Sequence, residues 1–181
     1  MTRIRILVAV FLAAATAAPA QVTRRREAPP PADAASPESI VAALYACVSH
    51  APDVSPDFER MRGIFLYVGM LIPPVKPGED VKVMDVDQFS ERYQKGVAAR
   101  KEKAEAATGF FERELSRKME TYGTITHVFS TYETKEKKDG PVTNRGINSI
   151  QLFYDNHRYY IINIFWCAES MGFPLPEKYL K

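Results

Sequence analysis

The chain has 181 residues, 24 basic and 22 acidic side chains and a formal net charge of +2, with 46% hydrophobic residues. Nothing in this near-balance suggests a nucleic-acid binder, which would show a clustered basic face, and the Arg24-Arg25-Arg26 triplet reads as a solvated run, so a nucleic-acid partner is not expected. Only two cysteines occur, Cys47 and Cys167, far apart in the chain, which excludes a disulfide-dense scaffold.

Met1–Ala20 opens with Arg3 and Arg5, continues as the apolar run Ile6–Ala15 and ends in Ala18-Pro19-Ala20. A basic start, an apolar centre and a small-x-small site read as a signal peptide cleaved near Ala20-Gln21, giving a periplasmic or secreted protein. The apolar run is far shorter than the roughly 20 residues a spanning helix needs, so no stable membrane insertion is expected after cleavage. Removing it takes away two arginines and no acid, which leaves the mature chain near neutral. Residues 21–36 are rich in Pro, Ala and charge, without large apolar side chains, and are expected to be a disordered leader. Residues 37–181 are the length of one domain, enough to bury a core.

Ser36-Pro37-Glu38-Ser39 starts a helix with Ser36 as N-cap and Pro37 in the first turn. Ile40, Ala43, Leu44, Cys47 and Val48 then share one face. A second short helix carries Phe58, Met61, Ile64 and Phe65 on a stripe, and Val68–Ile72 is a brief strand stopped by Pro73-Pro74. Val81–Val86 reads as a short edge strand. A third helix capped by Asp87 faces Phe89 and Tyr93 inward, and Ala98–Ala107 could extend it.

From Phe111 to Tyr122 the charges suit a helix, yet Phe111, Leu115 and Met119 stand at odd positions among polar even ones. Strict alternation favours a long half-exposed strand, with Arg113 and Arg117 on the face of Phe111. Tyr122-Gly123-Thr124 turns this strand into a second, Ile125–Tyr132. Arg145–Glu169 holds two aromatic and β-branched runs around Asp155-Asn156-His157, which reads as a hairpin of central strands.

Three helices followed by long antiparallel strands that end in an aromatic pair resemble the nuclear transport factor 2-like superfamily, in its SnoaL-like or ketosteroid-isomerase-like bacterial branch. The resemblance rests on ALYACVS…DFERMRGIF, FFERELSRKMETYGTITHVFSTYE and GINSIQLFYDNHRYYIINIFWCAE. It implies an α+β, cystatin-like cone, with three N-terminal helices packed on a strongly curved antiparallel sheet. It also implies a funnel lined by alternate strand residues, and a sheet face that often pairs, hence a homodimer. Laid on this chain, the ketosteroid-isomerase pattern keeps the first-helix tyrosine as Tyr45 and the pocket tryptophan as Trp166. Its carboxylate base falls at Pro73 and its acidic donor at Ser149, so the isomerase mechanism does not carry over.

The expected pocket comprises Tyr45, His127, Tyr132, Ser149, Gln151, Ile162, Ile164 and Trp166, apolar walls with a few polar points. It suits a small apolar molecule, in a protein that binds without catalysis or self-associates through the sheet face. The alternative is an isomerase, lyase or hydrolase in which His127 or Tyr45 carries the proton. A purely structural periplasmic subunit is a third reading. His50, His127 and His157 stand at no metal-ligand spacing and no Gly-rich phosphate loop occurs, so neither metal nor cofactor is expected. Cys47 and Cys167 could form a disulfide if the first helix and the end of the last strand meet, or remain two separate buried thiols.

Overall fold

A computed structural model describes residues 31–103 and 106–181. The signal-peptide reading of Met1–Ala20 and the larger part of the leader reading lie outside these residues. Three α-helices, α1 (Pro37–Val48), α2 (Phe58–Ile64) and α3 (Val86–Glu102), pack on strands β1 (Phe65–Ile72), β2 (Phe111–Tyr122), β3 (Ile125–Lys135), β4 (Asn144–Tyr154) and β5 (Tyr159–Ala168). The sheet order is β1-β5-β4-β3-β2; β1 runs parallel to β5 and every other neighbour is antiparallel. This is the expected α+β cone, with Phe111–Tyr122 a strand and the Arg145–Glu169 hairpin at the sheet centre.

Local chemistry starts each helix. Ser36 and Ser39 form a reciprocal capping box at α1 behind Pro37. The cap of α3 is Asp85, boxed with Gln88, two residues before the expected Asp87, because Gln88 at the third helical position can reach back to the Asp85 N–H. The helix stops at Glu102 instead of running on to Ala107. Val81–Val86 forms no strand; only Met84 bridges to Leu71, so the edge there is a single pair of backbone bonds.

Within the stretch expected to be disordered, residues 31–36 are ordered. Pro31–Ala34 forms a 3-10 turn, Ala34 is fully buried, and Asp33 accepts two 2.7 Å bonds from the Arg60 guanidinium on α2. A bidentate pair has the geometry to hold a segment that has little apolar surface of its own.

Ile40, Val41, Leu44 and Cys47 of α1, Met61 and Ile64 of α2, and Val128, Ile150, Leu152 and Ile161 of the sheet make one core. These contacts identify the inner sheet face: even residues of β3 and β4 point to the helices, odd ones away. The C-terminal segment covers part of the outer face. There the Tyr179 carbonyl accepts from Ser116 and Thr131, and its ring meets Phe129 edge-on at 5.1 Å.

The two cysteines do not pair. Cys47 is buried in the core beneath α1 and Cys167 is exposed on the outer face, so the sheet lies between them. Burial pushes the Cys47 thiol up to about 12, which leaves it inert as a nucleophile.

Two irregularities set the phase of the sheet. In β2 the register slips at Leu115, between Glu114 and Ser116. Before the slip Glu112 and Glu114 face Thr134 and Tyr132 on the inside; after it Arg117 and Met119 face Ser130 and Val128. One extra residue reverses which alternate set points inward. In β5 the pairing shifts between Leu152↔Ile161 and Gln151↔Asn163, leaving Ile162 as the unpaired residue.

Candidate functional site

Between the helices and the inner sheet face lies a cavity of about 610 Å³, within the range of small-molecule sites. Leu44, Val48, Leu71, Phe89, Ile164 and Trp166 supply apolar walls. Tyr45, Glu112, Tyr132 and Asn148 supply polar points from four different elements.

The end of α1 is stitched to the start of β2. His50 and Phe110 exchange backbone bonds of 2.6 and 2.9 Å, and the Glu112 N–H donates to Ser49 Oγ at 3.0 Å. That stitch, with the slip at Leu115, turns the Glu112 carboxyl inward. Asn148 on β4 donates from Nδ2 to Glu112 Oε1 at 3.0 Å and stands 3.2 Å from the Tyr45 hydroxyl. The second Glu112 oxygen meets no donor among the described residues. Burial pushes the Glu112 carboxyl up to about 7, and the Asn148 bond opposes this only in part. Tyr132 is raised by its own burial and then by the Glu112 carboxylate, and its hydroxyl has no partner among the described residues.

Tyr45 is differently engaged. Its oxygen lies 2.6 Å from Ser130 Oγ, and Ser130 donates to Glu114 Oε1 at 2.6 Å. With the Ser130 proton committed to Glu114, the Tyr45 proton goes to Ser130, and the chain ends on the Glu114–Arg117 ion pair. Burial raises the Tyr45 phenol far above its ordinary value. Such a hydroxyl holds helix to sheet and has no proton to offer a ligand.

Gly146 makes room for this arrangement. A Cβ there would stand 2.3 Å from the Cys167 carbonyl oxygen and 2.5 Å from the Tyr132 hydroxyl. The bare backbone of β4 is therefore what the Tyr132 phenol lies against.

Of the residues expected in the pocket, Tyr45, Tyr132, Ile164 and Trp166 line the cavity together. His127, Ser149 and Gln151 do not. They occupy odd positions of β3 and β4, on the outer face, where His127 Nε2 lies 2.9 Å from Ser149 Oγ. Ile162, the unpaired residue of the β5 shift, lines none of it. His127 and Tyr45 thus lie on opposite sides of the sheet and cannot share a substrate.

Glu112 and Asn148 are the site residues that sequence alternation misses. Counting by twos from Phe111 sends Glu112 outward, and nothing local marks Leu115 as a slip. Arg113 and Arg117, expected on one face, part for the same reason: Arg113 pairs with Glu133 at 2.6 Å outside, and Arg117 with Glu114 inside. Among the described residues, no cluster of three or more His, Cys, Asp or Glu is placed to hold a metal ion. No helix there is long and apolar enough to cross a membrane.

The described residues form an α+β cone with a cavity lined by Glu112 and by the aromatic side chains of Tyr45, Phe89, Tyr132 and Trp166. No protein-family model and no curated protein matches the chain. Several solved structures are similar in fold. One is a nuclear transport factor 2-like protein of unknown function from Methylobacillus flagellatus, 13% identical, over 74% of this chain and 94% of that one, TM-score 0.45. Another, from Nostoc punctiforme, is a protein of unknown function with a cystatin-like fold, 13% identical over 62% and 76%, TM-score 0.46. A third, from Catenulispora acidiphila in complex with S-DNPA, is 10% identical over 64% and 81%, TM-score 0.48.

Proposed function

We propose that this protein binds a small, largely apolar molecule in the cavity between the helices and the inner sheet face, without catalysing a reaction on it. The observation that carries this reading is the cavity itself: about 610 Å³, with Leu, Val, Ile, Phe and Trp side chains in its wall and Tyr45, Glu112, Tyr132 and Asn148 among the polar groups between them. Trp166 is the chain's one tryptophan and lines the cavity, so it reports occupancy directly. Titration with 2-phenylethanol and similar small apolar molecules should shift Trp166 emission saturably, and Ala168→Phe, which fills the cavity, should abolish the shift. Emission that drifts linearly in both proteins would sink the reading.

Proton transfer is the second reading, and it now attaches to Glu112, the cavity acid whose burial brings it near neutrality.

The protein is further proposed to be exported and to pair with a second copy through the outer sheet face. Support comes from the composition of Met1–Ala20 and from Met70 and Phe165, which expose 38% and 46% of their surface away from the core. Native mass spectrometry of protein recovered from the host's envelope fraction should show a dimer of chains beginning at Gln21. A full-length monomer recovered from the cytosol would overturn both points.

A further inference from the structure

The cavity contains an acid that the protein leaves without a counter-charge. The cations nearest to it in sequence are committed elsewhere: Arg113 to Glu133 on the outer face, Arg117 to Glu114. Arg100 reaches the cavity wall from α3, where its charge is felt at Tyr93; it is not among the groups acting on Glu112. Glu112 has one oxygen held by the neutral Asn148 and the other open. Tyr132, Trp166 and Phe110 line the same space. A carboxylate that shares a cavity with aromatic rings is the complement of an organic ammonium group, which gains from both the charge and the ring faces.

We propose that the ligand's polar end is an amine, bound as its ammonium ion against Glu112, with the apolar body filling the rest of the cavity. This rests on the binding reading above and specifies its chemistry. On binding, the Glu112 carboxylic acid gives its proton to solvent and the carboxylate pairs with the ammonium, so one proton is released for each acid-form site filled. Several other groups could impose a pH dependence. Tyr45 on α1, Tyr132 on β3 and Tyr93 on α3 line the cavity, as do His50, Glu136 and Arg100. Asn148 on β4 does not titrate, and Glu114, the other inward acid of β2, is tied to Ser130 and Arg117.

The test compares 2-phenylethylamine with its isostere 2-phenylethanol by calorimetry and Trp166 emission, from pH 5 to 8, on the parent and on Glu112→Gln. At pH 8 the amine should bind at least about tenfold more tightly than the alcohol, the factor equivalent to about 1.4 kcal/mol. Its affinity should fall about tenfold for each pH unit below 7 as protons compete for Glu112. In buffers of different ionisation enthalpy, amine binding at pH 6 should show close to one proton released. Glu112→Gln should lose the amine preference and the pH slope. A slope that survives in Glu112→Gln assigns it to His50 or Glu136 and overturns the proposal. Equal affinities at pH 8 would overturn the amine while leaving the cavity reading standing. If neither compound binds the folded parent at millimolar concentration, both fail.

Discussion

At pH 8 the Glu112→Gln variant should be more stable than the parent chain by as much as about 3 kcal/mol, and the gain should disappear near pH 4. The direction follows from proton counts. Burial raises the folded carboxyl from its ordinary 4.5 to about 7. Between those values the folded chain holds a proton that the unfolded chain has released, so stability falls as pH rises through this window and is level above it. Glutamine keeps the acceptor for Asn148 Nδ2 and carries no charge to desolvate. Urea titrations of both proteins at pH 4, 6 and 8 measure the difference. A gain that is the same at every pH would mean that the Glu112 carboxyl is solvated as well in the fold as outside it.

Gly146→Ala should cost about 3 kcal/mol, lowering the melting temperature by about 6–12 °C. The new methyl would stand 2.3 Å from the Cys167 carbonyl oxygen on β5 and 2.5 Å from the Tyr132 hydroxyl. A central strand cannot retreat without disturbing two ladders, and the phenol can move only into the cavity. The variant should therefore also bind 2-phenylethanol more weakly than the parent if the cavity is a binding site. Gly96→Ala is the control. Its Cβ would meet only the flexible end of Arg100, at 3.9 Å, inside α3, so it should stabilise by about 0.5–1 kcal/mol. Thermal melts of the two variants should move in opposite directions; a Gly146→Ala melt matching the parent would show that the Tyr132 contact is not tight.

The fold was legible because its signals are local and dense. Ser36-Pro37 marks the first helix, Asp155-Asn156-His157 the last hairpin, and the aromatic runs on either side the central strands. The alternation from Phe111 to Tyr122 correctly distinguished strand from helix. The site was legible only in half. Tyr45 sits on a helix whose inward face is declared by its own neighbours, and Tyr132, Ile164 and Trp166 lie on the strand faces that meet the helices. His127, Ser149 and Gln151 alternate just as regularly, but periodicity says that two faces exist and not which of them meets the helices. Glu112 was hidden by the slip at Leu115, since counting by twos carries no mark of an unpaired residue.

The order of helices and strands, the capping of the first helix and the apolar content of the central strands follow from the sequence alone, because each depends on residues within a turn or two of one another. Which strand face closes over the helices, where the register slips and which acid lines the cavity are decided by contacts between segments far apart in the chain. His50 with Phe110, Ser49 with Glu112, and Asn148 with both Glu112 and Tyr45 are such contacts. A carboxyl is chemically ordinary until those partners bury it without a cation, and that burial is a property of the folded chain.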